Sequence, residues 1–308
     1  MDDRFCFSCR TRLLLLAWLR RSRSPGRIAF IRRYGYKEIV RATDSFRWII
    51  YDNYHGSAYR ARFKDGEAAL VKEVRSLDLG QESFYEEVKL LGRLHHRHLL
   101  TLRGFSTGNK RLLVFDNIEN GSLKEHLNDP LRTPLNWKAR LQIAIGVAAA
   151  LEYLLLFSNP PMYQVSISSS NIMLDENFTA KISDVRLNRE SRSHSKAPNV
   201  SCSEASCSEE ESSNVMFQLG VLMLELITGQ SSDQQGEDLI EWVQDSSSSN
   251  GNSIDKMIDP DLGNSYSSRQ LHKLLAVARL CVKSRYEPSS FSITHVYRYL
   301  EKKIGTDT

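Results

Sequence analysis

Residues 164–171 read Gln-Val-Ser-Ile-Ser-Ser-Ser-Asn, and residues 184–186 read Asp-Val-Arg. The third residue of the first segment is Ser166. A serine hydroxyl cannot act as a general base near pH 7, because its pKa lies far above the working range of such groups. What these two short segments indicate depends on the pattern of the chain on either side of them.

The chain before residue 164 begins with a strand pattern. Residues 48–75 alternate apolar and polar side chains and carry turn signals at Asp52-Asn53 and at Lys64-Asp65-Gly66, which predicts antiparallel strands. Residues 84–94 have helical spacing, and two further strands are predicted within residues 99–105 and 111–118.

The pattern becomes helical after Asn120-Gly121. Residues 137–156 predict a long apolar helix, and residues 217–227 predict a second helix that is apolar nearly all round and therefore buried. Strands followed by helices predict an α+β chain in which a small antiparallel β lobe with one helix joins a larger, mainly α-helical lobe.

Several strings resemble plant receptor-like protein kinases. Residues 164–171 resemble the catalytic loop H-R-D-x-x-x-x-N, and residues 184–186 resemble the metal loop D-F-G. The lead-in of residues 36–46 resembles F-S-x-x-E-I-x-x-A-T-x-x-F. Close matches to the same family are Leu94-His95-His96-Arg97-His98-Leu99, Asn120-Gly121-Ser122-Leu123, Leu135-Asn136-Trp137 and Leu224-Glu225-Leu226-Ile227-Thr228-Gly229. The resemblance extends to about residue 303 and implies a two-lobed protein-kinase fold.

The resemblance and the composition together divide the chain. The predicted parts are a basic, disordered arm (1–33), a lead-in (34–46), a kinase-like N-lobe (47–118), a kinase-like C-lobe (119–303) and a tail (304–308). Residues 191–213 mix Ser, Glu and Arg with few apolar side chains, which predicts a disordered, degenerate activation segment.

A degenerate nucleotide site is implied by the same resemblance. The string Ala69-Leu70-Val71-Lys72 is similar to V-A-I-K, whose lysine pairs with ATP phosphates and with a helical glutamate, here Glu87. We therefore expect an ion pair between Lys72 and Glu87. The other implied positions are Gly56 in the glycine-rich loop, Phe115 as gatekeeper and Asn117 in the hinge.

The glycine-rich loop departs from the family pattern. Only Gly56 of its three glycines remains, and glycines let the backbone approach phosphates closely. Tyr51 and Asn53 are predicted to bring side chains into that space, and Asp52 adds a negative charge facing ATP. Ala58 replaces the valine that covers the adenine in the family.

The catalytic machinery departs further. Ser166 stands at the catalytic Asp position and Ser168 at the position of a lysine, whereas Asn171 and Asp184 remain at positions that bind magnesium in the family. Arg186 replaces the glycine after Asp184. Its cation either replaces the charge of the metal or simply faces solvent.

The activation segment lacks the family's substrate platform. No A-P-E string occurs between Leu187 and Val215, and Asn214 stands where an Asp braces the catalytic loop in the family. Glu287 replaces the arginine that would pair with the missing A-P-E glutamate. Both partners of one buried ion pair are therefore replaced together, which avoids leaving a buried charge unpaired.

Charge and cysteine usage exclude some classes of function. The chain has a net charge of +4, but residues 1–33 hold nine arginines against Asp2 and Asp3, a net charge of +7 that leaves −3 for the remainder. Nucleic-acid binding by the folded part is therefore not predicted. Five cysteines, an odd number without paired zinc spacing, indicate a reducing cytosol rather than a disulfide scaffold.

The basic arm contains a short apolar run. Residues 13–19 are all apolar, but seven residues fall far short of the roughly 20 that span a bilayer. The arm is either a disordered extension or a contact for an anionic membrane surface. The predicted location is cytoplasmic, with the second alternative placing the chain peripherally at the plasma membrane.

Three functions stay open on the sequence. The first is a catalytically inactive receptor-like kinase homologue, not an enzyme, that is a scaffold or allosteric partner of active receptor-like kinases and requires no cofactor. The second is a weak or atypical protein serine/threonine kinase that uses Lys72, Asn171 and Asp184 with magnesium and weakly bound ATP. The third is a protein with no biochemical role.

Overall fold

The computed structural model describes residues 31–53, 56–75, 80–186, 204–231, 239–240, 257–263, 265–286 and 291–303. The strands are β1 Arg32–Arg33, β2 Ile49–Asn53, β3 Gly56–Arg62, β4 Ala68–Glu73, β5 Leu102–Thr107, β6 Arg111–Asp116, β7 Ile172–Leu174 and β8 Ala180–Ile182.

The described helices are α1 Tyr36–Ala42, α2 Gln81–Leu91, α3 Leu123–Asn128, α4 Trp137–Glu152, α5 Glu204–Thr228, α6 Ser268–Lys283 and α7 Ile293–Lys303. A π-helical turn, Tyr153–Phe157, continues α4, and a 3₁₀ turn, Pro260–Leu262, precedes α6. A β-rich lobe is thus followed by a helical lobe, which confirms the predicted α+β class with two lobes.

The first lobe is built on one six-stranded sheet with the order β1-β5-β6-β4-β3-β2. Only β1 pairs in parallel; the other neighbours are antiparallel. Because side chains alternate along a strand, the sheet has two apolar faces. One face carries Tyr59, Val71 and Val114 into a small core beneath α1, and the other carries Leu70 and Phe115 into the main core.

The lead-in is ordered and ends in a left-handed turn. After α1, residues Asp44, Ser45 and Phe46 have φ values of 49°, 59° and 63°. Such residues cost roughly 1–2 kcal/mol each when they are not glycine. Two contacts of Phe46 offset this cost. Its ring lies 5.0 Å from the Tyr59 ring, and its N–H donates to Thr43 Oγ1 at 3.1 Å.

The prediction that residues 1–33 are disordered is wrong for the last two of them. Arg32 and Arg33 form β1, which pairs with Gly104 and Phe105 of β5, and Arg33 Nη2 donates to Thr107 Oγ1 at 2.9 Å. Their charge favoured disorder in the sequence analysis. An edge strand, however, pairs through its backbone N–H and C=O groups, whatever side chains its partner carries. Residues 1–30 lie outside the described part of the chain.

The predicted disorder of residues 191–213 is also wrong in its second half, because α5 begins at Glu204. The buried C-terminal part of α5 provides the costly helix nucleus, to which polar residues can then be added. Residues 187–203 lie outside the description.

Helix α4 forms the centre of the second lobe. Among the described residues, Trp137–Phe157 is the one helical segment whose length and apolar composition would suffice to cross a membrane. However, 61% of its most apolar stretch is buried inside the protein, and it packs against α5, α7 and β8. The apolar composition of the segment is therefore explained by its place in the core.

Arg140 of α4 is the most conspicuous buried charge, with 1% of its surface exposed. Its Nη2 donates to Asp259 Oδ2 at 2.6 Å, its Nε to the Leu135 carbonyl at 2.9 Å and its Nη1 to the Leu226 carbonyl at 3.0 Å. Asp259 is 6% exposed and also accepts from the Asp261 N–H. One guanidinium thus joins the start of α4, the end of α5 and the 3₁₀ turn.

Removing one partner of this pair should destabilise the protein strongly. We expect Arg140→Met to lower the free energy of unfolding by about 3–5 kcal/mol, because Asp259 would stay buried without a countercharge. The double variant Arg140→Met/Asp259→Leu should lose less than the sum of the two single variants. Urea unfolding of the four proteins measures this.

A control is available on the same helix. Gln142 is exposed, so Gln142→Met should change the free energy of unfolding by less than about 0.5 kcal/mol. Strict additivity of the two losses would show that Arg140 and Asp259 are not energetically coupled.

Candidate functional site

The catalytic-loop segment, residues 164–171, and the metal-loop segment, residues 184–186, contact each other in the structure. Val165 and Val185 form an isolated antiparallel bridge, the Ser166 N–H donates to the Asp184 carbonyl at 3.1 Å, and the Arg186 N–H donates to the Gln164 carbonyl at 2.9 Å. The hairpin of β7 and β8 connects the segments and fixes their approach. Residues that lie about 20 positions apart in the sequence therefore share one site between the lobes.

Asp184 is held by Arg186. Arg186 Nε donates to Asp184 Oδ1 at 2.8 Å and Nη2 donates to Oδ2 at 2.9 Å, so both carboxylate oxygens are engaged in a bidentate pair. The Asp184 side chain is 20% exposed and that of Arg186 is 39% exposed. Of the two alternatives for Arg186, the geometry supports a cation placed beside the carboxylate.

Asn171, the second candidate metal ligand, also bonds within the protein. Its side-chain Nδ2 donates to Ser166 Oγ at 2.8 Å, and its backbone carbonyl accepts from the Ser183 N–H at 3.0 Å. The hydroxyl at the catalytic position therefore accepts a hydrogen bond from the amide at the metal position. Ser168 supplies its carbonyl to the turn that carries Asn171.

Lys72 contacts the second lobe. Its Nζ donates to the Ser183 carbonyl at 2.6 Å, one residue before Asp184. The ion pair between Lys72 and Glu87 stays a prediction. The cleft closes far enough for Lys72 on β4 to reach Ser183, whereas Glu87 is buried on α2.

Two aromatic rings flank the Lys72 ammonium. The ring centres of Tyr51 and Phe115 each lie 5.7 Å from Nζ, which is within the range of a cation–π contact. Tyr51 is half-buried and packs on the main core, as expected for a side chain directed into the phosphate space. The side chains of Asp52 and Asn53 are outside the described part.

Gly56 is needed for the pairing of the strands themselves. Its φ is +146°, and a Cβ at this position would lie 1.9 Å from the Glu73 carbonyl oxygen. Any other residue would push β3 away from the end of β4. The close approach of two strands therefore explains why a glycine is needed here without reference to a ligand.

The hinge side chains bond to one another. Asn117 Nδ2 donates to Glu119 Oε1 at 2.7 Å, and Arg103 Nε donates to Asp116 Oδ1 at 2.6 Å. Phe115, the gatekeeper position, is 4% exposed. The hinge positions that the sequence singled out are thus brought together where the two lobes connect.

Gln218, which the sequence analysis missed, braces the catalytic loop. Its Oε1 accepts from the Ile167 N–H at 2.7 Å. Asn214, which stands where an Asp braces the loop in the family, is exposed at the edge of the cleft. The signal that could have found Gln218 is an amide within an apolar helix, because buried polar groups require partners.

An open cleft of about 890 Å³ lies beside this loop. Its lining includes Ser166, Asn171, Asp184, Arg186, Glu210 and Glu211. Within the part of the chain that is described, no group of three or more His, Cys, Asp or Glu side chains is placed to hold a metal ion. Glu287 lies outside the description.

Magnesium and ATP, which the family uses, fit this arrangement poorly. Magnesium takes oxygen ligands, yet both Asp184 oxygens already accept from Arg186, whose positive charge lies where a cation would bind. The Asn171 amide nitrogen donates to Ser166, which fixes the orientation of the amide. Lys72, the phosphate-binding position, donates to a backbone carbonyl, and Tyr51 lies next to it. The side chains of the site thus meet most of one another's bonding needs.

The comparisons with known proteins agree with the fold. The family described as protein tyrosine and serine/threonine kinase matches residues 52–253. From Arabidopsis thaliana, the probable receptor-like protein kinase At1g49730 is 38% identical over 287 residues, which cover 87% of this chain and 43% of that protein. The probable serine/threonine-protein kinase PBL21 is 31% identical over 293 residues, which cover 87% of this chain and 76% of PBL21. The chain thus spans less than half of the first relative.

Solved structures of pseudokinases superpose well on the chain. The pseudokinase domain of BIR2, an immune regulator of the RLK/Pelle family, is 26% identical with a TM-score of 0.73 over 89% of this chain and 86% of that one. The apo GRMZM2G135359 pseudokinase has the same fold, with 22% identity and a TM-score of 0.71 over 88% and 93% of the two chains. By sequence and fold together, the chain belongs to the protein kinase family, in its plant receptor-like group.

Proposed function

We propose that this protein is a catalytically inactive receptor-like kinase homologue that acts as a scaffold or allosteric partner of active receptor-like kinases. The observation that carries the proposal is the bidentate pair between Asp184 and Arg186. It engages both oxygens of the carboxylate that would otherwise bind the metal of a phosphotransfer reaction.

The pair with Arg186 opposes a bound cation. The guanidinium presents its donors in a planar fork that matches both oxygens of the Asp184 carboxylate. A magnesium ion would have to displace two charge-assisted hydrogen bonds and would meet a fixed positive charge next to its site. The side chain that replaces the metal's charge therefore also opposes the metal.

The catalytic position supports the same conclusion. Ser166 cannot take a proton from a substrate hydroxyl near pH 7, and loss of a general base costs roughly 10²–10⁴-fold in rate. Phosphoryl transfer depends mainly on positioning and charge. Here Lys72 is bonded to Ser183 and Ser168 stands at a lysine position, so those contributions are reduced as well.

Partners are inferred from the relatives. The relatives are named as a probable receptor-like protein kinase and a probable serine/threonine-protein kinase, and BIR2 is described as an immune regulator of the RLK/Pelle family. A folded kinase-like domain without phosphotransfer retains the surfaces by which such domains contact each other. We propose that the protein acts in the cytoplasm, that active receptor-like kinases are its partners and that it does not require ATP.

Protein-kinase activity should be absent. Purified protein with labelled ATP, Mg²⁺ or Mn²⁺ and a generic protein substrate should incorporate no label above a Lys72→Met control, because both the base and the metal ligand are disabled. A protein kinase domain of established activity, run in parallel, checks the assay. Incorporation that Lys72→Met abolishes would overturn the proposal.

Arg186→Gly should create a response to metal. Without its guanidinium, Asp184 becomes available to Mg²⁺ or Mn²⁺, so millimolar metal should raise the Tm of the variant according to RT ln(1 + [L]/Kd) and leave the wild type unchanged. Arg285→Ala is the matched control, since Arg285 lines the same cleft but stacks on the Phe217 ring. Equal metal stabilisation of wild type and Arg186→Gly would contradict the role given to Arg186.

The arm is proposed as a contact for an anionic membrane. Residues 1–30 hold seven of the nine N-terminal arginines, because Arg32 and Arg33 belong to the sheet. Deleting residues 1–30 should abolish sedimentation with phosphatidylserine vesicles at 0.1 M salt and leave the Tm unchanged. Wild-type binding should fall at 1 M salt, where the Debye length is about 3 Å. Salt-independent binding, or binding by the deleted form, would exclude this contact.

A further inference from the structure

We propose that Leu70 determines what the cleft can hold, because its side chain fills the space beneath the sheet that a planar purine would need. The inference extends the proposed function, on which it rests, from the phosphate end of the cleft to the base end. It concerns apolar packing and is independent of the charges around Asp184.

The direction of Leu70 follows from strand geometry. Residues two apart on a strand point to the same face, so Leu70 shares a face with Lys72. Lys72 reaches Ser183 in the second lobe, so this face is the one that looks into the cleft. Phe115 lies directly opposite Leu70 on β6, and Ala58 lies opposite Lys72 on β3.

The burial of these residues shows that the face is covered. Leu70 is 1% exposed, Ala58 is 0% exposed and Phe115 is 4% exposed. Side chains that line an open slot retain exposed surface, because a slot wide enough for a ring also admits water. The three residues belong to one continuous hydrophobic core with Met173 and Ile182 of the second lobe. The main core is thus continuous from this face of the sheet into the second lobe.

The sequence shows an exchange of size between neighbouring strands. Leu70 stands at the alanine of V-A-I-K, and Ala58 stands at the valine that covers adenine in the family. The side chain on β4 is thus larger and the one on β3 smaller. Ala58 and Leu70 are diagonal neighbours across the two strands, so one side chain can occupy volume that the other leaves.

Shortening Leu70 should therefore open a slot for a flat heteroaromatic ring. Adenosine is the probe, since it carries the purine without phosphates and needs no metal. Leu70→Ala should lower the Tm by roughly 5–15 °C, as expected for a large-to-small core substitution. Millimolar adenosine should recover part of that loss, whereas the wild type should show no shift.

Leu112→Ala is the matched control. Leu112 is 0% exposed, but it belongs to the small core on the opposite face of the sheet. The same atoms are removed, so its Tm should fall by a comparable amount, and adenosine should not restore it. Leu70→Val removes a single carbon and provides a milder second variant if Leu70→Ala does not fold.

The outcomes separate the inference from the proposed function. Selective stabilisation of the Leu70 variants by adenosine supports the role of Leu70. A wild-type shift equal to that of the variants shows an open slot and overturns it, as does a failure of adenosine to stabilise the Leu70 variants more than Leu112→Ala. Because neither result involves phosphate or metal, the absence of phosphotransfer would stand or fall on its own assay.

Discussion

The geometry of the second lobe depends on one buried cation. Arg140 is buried, and its guanidinium carries N–H donors and no acceptor, so these donors need acceptors inside the protein. Those acceptors come from the start of α4, the end of α5 and the 3₁₀ turn. With α5 fixed in this way, Gln218 reaches the Ile167 N–H and holds the loop that carries Ser166. The site between the lobes is thus positioned from the core outwards.

The same requirement for partners shapes the site itself. In an active kinase, polar groups at these positions are completed by nucleotide and metal. Here Asp184 accepts from Arg186, Asn171 donates to Ser166 and Lys72 donates to the Ser183 carbonyl. Each of these polar groups thus bonds to a neighbouring residue of the protein, and the apolar face of the sheet around Leu70 is buried as well. The cleft is therefore stable without anything bound in it.

The fold was predictable from the sequence because strand alternation, helical spacing and several motifs all point to the same two lobes. The site positions were predictable only as a set of neighbours. The partner of Lys72 depends on how far the lobes close, and the position of Gln218 depends on the rotation of α5; neither is encoded in local spacing. Arg32 and Glu204 were misjudged for a related reason, since a polar composition indicates disorder until an edge strand or a buried helix extends through it.

The pairing of Asp184 with Arg186 also makes the change difficult to reverse by single steps. A glycine at residue 186 would leave the Asp184 carboxylate without its countercharge, and an aspartate at residue 166 would add a second carboxylate to the cleft that holds Asp184. The two changes together would therefore place two carboxylates in the cleft without the arginine that now pairs with one of them. Sequences that descend from this one would pass through less stable intermediates on the way to both changes, whereas substitutions on the exposed surface carry no such cost.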